Sequence, residues 1–292
     1  MSIDKLQERI RKLKNPTVVD LNVNKELIPP YLLESEGDFL PAYERFCTEL
    51  MDALKGVVPA VRFSFGYFAL LRPDGVSVLA RLTKYAKERG YYVFLDGPEM
   101  LSGQTAVFAA DALLNNTCEL YFDALILVSY IGSDGLRPYM DRFGTCDKDL
   151  FLVLRTANRS ASELQDLLTG SRLVCLARCD SISRFSEMYI GRYGYSRISV
   201  MAAASSFTII SALRSKYKYF FVLLDGFDYT TSSVKNCSAA FDKLGHGAIV
   251  CAGASVTGAW RETDADGWQF ADQAVMAAEK MKKNIARFVT VL

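Results

Sequence analysis

The chain has 292 residues, of which 50% are hydrophobic and 23% are charged, and this composition is typical of globular proteins. Its 34 basic and 33 acidic side chains are interspersed and give a formal net charge of +1. That balance excludes the basic stripe typical of nucleic-acid-binding proteins. The N-terminal stretch MSIDKLQERIRKLKN lacks the apolar segment of a secretory signal, so we expect a cytoplasmic protein.

The longest uncharged run, residues 198–213, is too short and too rich in serine for a membrane helix. A bilayer span requires roughly 18 or more apolar residues. The run therefore predicts a strand followed by a helix, and we expect no membrane association.

Seven cysteines and one histidine are scattered along the chain. Cys175 and Cys179 stand close together, but without a second pair their spacing does not match a zinc site. We therefore expect reduced, mostly buried thiols and no bound metal. His246 lies between two glycines, which is typical of a turn, and no set of nucleophile, histidine and acid can be assembled around it.

Short apolar runs alternate with amphipathic segments along the whole chain. A helix is predicted over residues 3–13. The eight apolar runs that follow are nearly continuous, as expected of parallel strands covered on both faces. These predicted strands are residues 17–21, 58–64, 91–96, 124–129, 150–155, 197–202, 219–224 and 248–251.

Helical patterns occupy the longer segments between the predicted strands. Residues 75–90 place Val78 and Leu82 on one face and Lys84 on the other, and Gly90 follows where a left-handed C-cap is favoured. Further predicted helices are residues 102–114, 238–245 and 266–287.

Eight strands that alternate with helices predict an α/β fold, a (β/α)8 TIM barrel. No linker, low-complexity segment or internal repeat divides the sequence, so we predict a single domain over residues 1–292, with residues 1–14 as an N-terminal helix packed at the base. In such barrels the functional residues lie in the loops after the carboxyl ends of the strands.

Polar side chains are few where the predicted strands end. Asp96 closes the third strand, Glu99 follows within reach of the same mouth, and Arg62 lies near the end of the second strand. Two acids beside an arginine can transfer a proton or bind a sugar. Alternatively, Arg62 binds an anion or forms an ion pair that joins neighbouring loops.

Three other strand ends offer weaker signals. Asn22 either contacts a polar ligand or caps the next helix. The stretch CAGASVTGAW, which contains Gly253 and Ser255, is small enough to admit a phosphate at a helix N-terminus. The stretch LDGFDYTTSS offers Asp225 and Asp228, but its single glycine provides too few free N–H groups for a phosphate cradle.

Five segments carry a resemblance to a known family: NPTVV (residues 15–19), FLDG (94–97), DALILVSYIGSDGLRPY (123–139), FLVLRTANRSASELQDL (151–167) and GHGAIV (245–250). They resemble the longer bacterial branch of orotidine 5'-phosphate decarboxylase, over nearly the whole chain. The resemblance implies a (β/α)8 barrel that dimerises with its active sites near the subunit interface. It also implies conversion of orotidine monophosphate to UMP, a step of pyrimidine biosynthesis, without any cofactor.

The catalytic array that the resemblance implies is incomplete in this sequence. The family's third strand ends in Asp-x-Lys-x-x-Asp, whereas here Asp96 is followed by Pro98 at the lysine position and by Leu101 at the second acid. Asn22 replaces the acid that closes the first strand, and Arg62 replaces the lysine that closes the second.

Residues that bind the substrate in the family also differ here. The Thr-Ser-Asn that reads the pyrimidine corresponds to Thr156-Ala157-Asn158, which lacks the middle hydroxyl. The phosphate-binding arginine corresponds to Ala254, which leaves only the backbone near Gly253 to contact a phosphate. Electrostatic contributions of this kind are several kcal/mol each, so their combined loss should abolish decarboxylation.

We therefore expect a pseudoenzyme of this family that acts as a partner or regulator, in a homodimer or in a mixed dimer with an intact decarboxylase paralogue. One alternative is an altered enzyme or small-ligand binder that uses Asp96, Glu99 and Arg62. The other is residual orotidine 5'-phosphate decarboxylase activity. None of these readings requires a metal or a cofactor.

Overall fold

Parallel pairing closes eight strands into a barrel in the computed structural model, which describes residues 1–98, 102–115, 117–230, 232–263 and 266–292. Each strand pairs with its neighbours in the sequence, and the first pairs with both the second and the last. In chain order the barrel strands are β1 (Thr17–Asp20), β2 (Ala60–Ser64), β3 (Tyr92–Asp96), β4 (Ala124–Val128), β5 (Asp149–Arg155), β6 (Ile198–Ala203), β7 (Val222–Phe227) and β8 (Ala248–Ala252).

Helices precede the barrel and connect its strands. Within the described ranges the α-helices are α1 (Ser2–Leu13), α2 (Pro30–Glu36), α3 (Phe39–Ala53), α4 (Phe65–Leu71), α5 (Gly75–Glu88), α6 (Gly103–Leu113), α7 (Ser133–Met140), α8 (Val174–Ser186), α9 (Phe207–Lys216), α10 (Val234–Cys237), α11 (Ala254–Thr257) and α12 (Phe270–Ala286). None of these helices has the length and apolar character that crossing a bilayer requires. Short 3-10 turns and a hairpin of two-residue strands, Leu168–Thr169 with Arg172–Leu173, complete the connections.

This architecture confirms the predicted (β/α)8 barrel. Several elements begin or end a few residues from their predicted bounds, and the largest differences concern the seventh strand, the final helix and the predicted helix 238–245. The seventh strand begins at Val222 rather than at residue 219, because Phe220 and Phe221 end a turn in which the Phe220 N–H bonds to the Tyr217 carbonyl. Burial of those two rings gave the turn the apolar character of a strand. The predicted helix 238–245 is only a 3-10 turn, Ser238–Ala240, which follows the short helix α10.

Aromatic rings fill the centre of the barrel. The Phe94 ring on β3 lies 5.1 Å from the Phe151 ring on β5, and Phe151 lies 6.1 Å from Phe221, both pairs edge-on. All three rings are fully buried. Because edge-to-face packing is favourable for aromatic quadrupoles, these rings add to the stabilisation from apolar burial.

The N-terminal helix α1 closes the opposite end of the barrel, as predicted. Its Ser2 N–H donates to Asp147 just before β5, at 2.8 Å, and its Gln7 side chain accepts from the Gly247 N–H just before β8, at 3.0 Å. The face turned to the barrel is apolar at helical spacing and consists of Ile3, Leu6 and Ile10.

His246 also lies at this base, at the turn before β8. Its Nε2 lies 2.8 Å from the Leu292 carbonyl oxygen, and Gly245 and Gly247 on either side have positive φ angles of 71° and 79°. The predicted turn is therefore confirmed. The prediction of mostly buried thiols is also confirmed, since five cysteines are buried: Cys47, Cys175, Cys179, Cys237 and Cys251.

Asp149 is a fully buried acid at the first position of β5. The Tyr92 hydroxyl donates to its Oδ2 at 2.6 Å, and the Arg197 Nε lies 3.6 Å from its Oδ1. Burial raises the pKa of Asp149 to about 7, against the lowering effects of the Tyr92 hydrogen bond and of Arg197. In the unfolded chain this carboxyl has a pKa of about 3.9. The folded protein therefore holds a proton on Asp149 that the unfolded chain releases.

We expect this proton to make the free energy of unfolding fall as the pH rises from about 4 to about 7, by on the order of 4 kcal/mol at most. Asp149→Asn, whose amide oxygen can still accept from Tyr92, should remove that slope. Urea denaturation at several pH values measures it, as the difference between variant and parent. Asp52→Asn is the control, since the Tyr85 hydrogen bond lowers the pKa of Asp52 and should give a slope of the opposite sign. A pH-independent difference for Asp149→Asn would contradict the assignment.

Candidate functional site

The registers of the first three strands bring charged side chains together at the carboxyl-terminal rim. β1 and β2 align Asp20 with Arg62, and β2 and β3 align Ser64 with Asp96. Arg62 and Ser64 are two residues apart on one strand, so both face the barrel interior. Asp225 on β7 completes the group from the far side of β8 and β1. We call Arg62, Asp20, Asp96 and Asp225 the Arg62 cluster.

The Arg62 guanidinium is the centre of this cluster. Its Nε donates to both oxygens of Asp96, at 3.0 and 3.1 Å, and its Nη2 donates to Asp96 Oδ2 at 2.8 Å. Its Nη1 donates to Asp225 Oδ1 and to Cys251 Sγ, and lies 3.9 Å from Asp20 Oδ2. Such a two-pronged arginine–carboxylate pair is both strong and specific in geometry. Arg62 is only 8% exposed, so water screens these interactions little.

Burial and neighbouring charges shift the pKa values of two members of the cluster, Arg62 and Asp20. Burial alone would lower the pKa of Arg62, but Asp96, Asp225 and Asp20 outweigh it and hold that pKa well above its ordinary value. Burial raises the pKa of Asp20 to about 6, with Arg62 opposing and Asp96 adding to the shift. An acid with that pKa can give or take a proton near neutral pH, whereas an arginine cannot.

Asn22 supports the cluster instead of replacing its acid. Asn22 was predicted to close the first strand. In the structure β1 ends at Asp20, and Asn22 lies two residues beyond it. The Asn22 side chain donates to Asp20 Oδ1 at 2.6 Å and accepts from the Ser64 N–H at 2.8 Å. The first strand therefore does end in an acid, and Asn22 holds it in place.

A cavity of about 200 Å³ opens beside Arg62, Asp96 and Asp225. Gly97 and Pro98 continue its wall from β3. On β4, β5 and β6, between the strands of Asp96 and Asp225, the wall is apolar, and Thr156 supplies a hydroxyl at the rim. The apolar residues are Ile126, Leu127, Val128, Val153 and Met201. Among the described residues that line this cavity, Arg62 is the only cation.

The loop after β5 presents Thr156 to the cavity but turns Asn158 away. The Thr156 N–H donates to Gln165 Oε1 at 2.8 Å, and its hydroxyl donates to the Asn158 side chain. Asn158 is exposed and does not line the cavity. Arg155 is held by Asp166 through two hydrogen bonds of 3.2 and 3.0 Å, which fixes this loop. Arg155 therefore has a structural role in this loop.

The remaining predicted site residues lie further from the cavity or outside the described chain. Gly253 lies beside Asp20, since a Cβ placed on it would be 3.8 Å from Asp20 Cβ, but neither Gly253 nor Ser255 lines the cavity. Both belong to the start of α11, a helix of four residues. Glu99 and Leu101 lie outside the described residues.

Sequence reasoning missed Asp20 and undervalued Asp225. Asp20 was included in the first predicted strand without a role, although an acid within a run of valines already signals an interior polar site. Asp225 was assigned to the loop after the seventh strand, yet it lies within β7 next to Gly226. Gly226 has a φ of 65°, and a Cβ there would meet Ala157 at 2.4 Å. Neither acid could be placed opposite Arg62 without knowing the strand register.

Curated proteins similar to this chain are orotidine 5'-phosphate decarboxylases. The enzyme of Rhodopirellula baltica is 27% identical over 257 residues, which cover 84% of each chain. That of Caldicellulosiruptor saccharolyticus is 24% identical over 301 residues, or 97% of each chain. The chain is a homologue of the orotidine 5'-phosphate decarboxylases. This confirms the resemblance drawn from the sequence motifs, although no protein-family model matches the chain.

Solved orotidine monophosphate decarboxylase structures share the same fold. The Plasmodium berghei enzyme superposes with a TM-score of 0.78 at 12% identity, over 98% of this chain and 97% of that one. The Leishmania donovani enzyme superposes with a TM-score of 0.73 at 19% identity, over 97% and 99%. The barrel of these decarboxylases is thus retained at low sequence identity.

Arg62→Gln tests whether the cluster of this decarboxylase homologue depends on one cation. We expect it to lower the free energy of unfolding at pH 8 by on the order of 3 kcal/mol, because Asp96 and Asp225, whose side chains are only 23% and 19% exposed, lose the guanidinium that they share. Part of the loss should be recovered at a pH of about 4.5, where the carboxylates take up protons. Urea denaturation at the two pH values measures both effects.

The matched control is Arg72→Gln, which breaks an exposed pair with Asp38 and should have only a small effect. A loss for Arg62→Gln that is no larger than the loss for Arg72→Gln would show that the cluster is not held by its guanidinium.

Proposed function

We propose that this chain is a decarboxylase homologue that no longer decarboxylates orotidine 5'-phosphate and acts as a partner or regulator. One observation carries the proposal. Arg62 is the single cation on the described cavity wall, and it donates its hydrogen bonds to Asp96, Asp225 and Cys251 of the same chain. Among the described residues of the cavity wall there is no lysine to face a substrate carboxylate.

Decarboxylation of this substrate requires a cation that balances the carboxylate and an acid that protonates the carbanion left behind. In the motif alignment the lysine position of the family is occupied by Pro98. Its side chain lies on the cavity wall and carries no proton to donate. Arg62 approaches from β2, and its pKa is held above the ordinary arginine value of about 12 or more, so it is a poor acid. Binding without these groups would not stabilise the carbanion.

The partner role rests on a barrel that keeps its scaffold while its rim has changed. The segment SYIGSDGLRPY, which the resemblance places on the interface side, forms a 3-10 turn and helix α7. Arg137 of α7 is exposed and has no ion-pair partner among the described residues. We propose that this surface forms a homodimer or a mixed dimer with an intact decarboxylase paralogue.

The first test is enzymatic. We expect purified protein to form no measurable UMP from orotidine 5'-phosphate, because the wall at Pro98 offers no proton donor. Pro98→Lys combined with Leu101→Asp restores the two family residues, and activity that appears only in this double variant would support a preserved pocket whose chemistry was lost. Turnover by the unmodified protein would instead establish residual decarboxylase activity and remove the proposal.

The second test is association. We expect co-expression with the intact decarboxylase of the same host to give a mixed dimer that native mass spectrometry detects. Arg137→Glu should weaken it, since a charge reversal in the centre of an interface opposes binding. Lys84→Glu makes the same change on exposed α5, on the side of β2 rather than β4, and should leave the dimer intact. A protein that forms only monomers or homodimers argues against a mixed complex.

A second candidate function is small-ligand binding, with or without altered catalysis. It is favoured by the cavity itself, which places Asp96, Asp225 and the Thr156 hydroxyl around about 200 Å³ of space. The test is a metabolite library screened by thermal shift. A ligand at about 100 times its dissociation constant should stabilise the fold by roughly 2.7 kcal/mol. No shift with any metabolite favours the partner role.

A further inference from the structure

The cavity beside the Arg62 cluster has a sign of charge that restricts its ligand. Its described wall contains one cation, Arg62, and two acids, Asp96 and Asp225. Asp20 adds a third carboxylate 3.9 Å from the guanidinium. Even with Asp20 protonated, a single negative charge remains on the cluster. The other described lining residues are uncharged, so the cavity repels anions.

Arg62 is not available to offset this charge for a ligand. Its Nε and both Nη atoms already donate to Asp96, Asp225 and Cys251. Only one N–H, on Nη2, remains beyond these bonds, and a carboxylate or phosphate that used it would lie beside the carboxylate of Asp96 unless it displaced one of the partners. Breaking such a buried pair is strongly unfavourable.

A ligand that donates a hydrogen bond, in contrast, can bind to an oxygen of Asp225. Only one oxygen of Asp225 bonds to Arg62, and the other has no hydrogen-bond partner among the described residues. The Asp225 side chain is 19% exposed and lines the cavity, so a ligand can reach it. The described residues contain no group of acids, cysteines or histidines arranged to hold a metal ion. A protonated amine is both a cation and a hydrogen-bond donor, so it suits this Asp225 oxygen.

The apolar part of the wall limits the rest of the ligand. Leu127, Val128, Val153 and Met201 form an apolar surface on β4, β5 and β6, between the strands that carry Asp96 and Asp225. The space of about 200 Å³ is smaller than the roughly 300–1,000 Å³ of pockets that take drug-sized ligands. We infer that the cavity binds a small protonated amine with an apolar body and disfavours carboxylates and phosphates. This inference rests on the second candidate function, ligand binding at the same site.

The test uses three probes of one shape: benzylamine, benzyl alcohol and benzoate, each titrated into the full-length protein by calorimetry. Benzylamine should bind at least about tenfold more tightly than benzyl alcohol, because a charge-assisted hydrogen bond to Asp225 is added. Benzoate should bind most weakly. Asp225→Asn should cost the amine about tenfold and leave the alcohol unchanged. Asp228→Asn, in the same segment but off the cavity wall, should change neither.

Benzoate or inorganic phosphate that binds as tightly as benzylamine would overturn the inference, and so would amine binding that Asp225→Asn leaves unchanged. If Asp225→Asn fails to fold, Val128→Phe is used instead, because it fills the cavity and keeps every charge. Loss of benzylamine binding in this variant supports the inference, and unchanged binding overturns it. Tight binding of the alcohol alone overturns the charge preference but leaves ligand binding standing. No binding of any probe, together with no shift in the metabolite screen, removes the candidate function as well.

Discussion

One guanidinium joins the carboxylates of three barrel strands. Arg62 on β2 bonds to Asp96 on β3 and Asp225 on β7 and lies 3.9 Å from Asp20 on β1. In this nearly dry setting each acid would be costly alone, because a buried charge without a partner loses its hydration. Arginine suits the position better than lysine, since its planar fork reaches two carboxylates at once. The shape and charge of the cavity both follow from where this one side chain lies.

The scaffold and the charged rim of the barrel place different demands on the sequence. The scaffold needs only apolar strands of the right length, so many sequences satisfy it, and homologues 24% identical match over 97% of the chain. The rim, in contrast, depends on individual charges at fixed distances. A substitution at one of these charges leaves the scaffold intact but changes what the rim can recognise. Fold and function can therefore diverge at different rates within one barrel.

The strands and the base helix could be predicted from sequence because buried parallel strands read as uninterrupted apolar runs. The exceptions have physical causes. Phe220 and Phe221 are buried in a turn, so they extended the seventh predicted strand in the wrong direction. Asp20 was overlooked because its significance depends on its register with Arg62, which no local pattern encodes. Candidate residues chosen by motif spacing, such as Asn158, proved to share a loop with the cavity without facing it.

The helix at the base has a consequence for how the chain reaches this structure. Helix α1 precedes every barrel strand in the sequence, yet its Gln7 bonds to Gly247, 240 positions later, and its Ser2 to Asp147, 145 positions later. A helix of 12 residues is marginal by itself in water. Its apolar face is covered only when the strands have formed the base against which it packs. Contacts of such high sequence separation slow folding, because the loop-closure entropy of the intervening chain must be lost before they form.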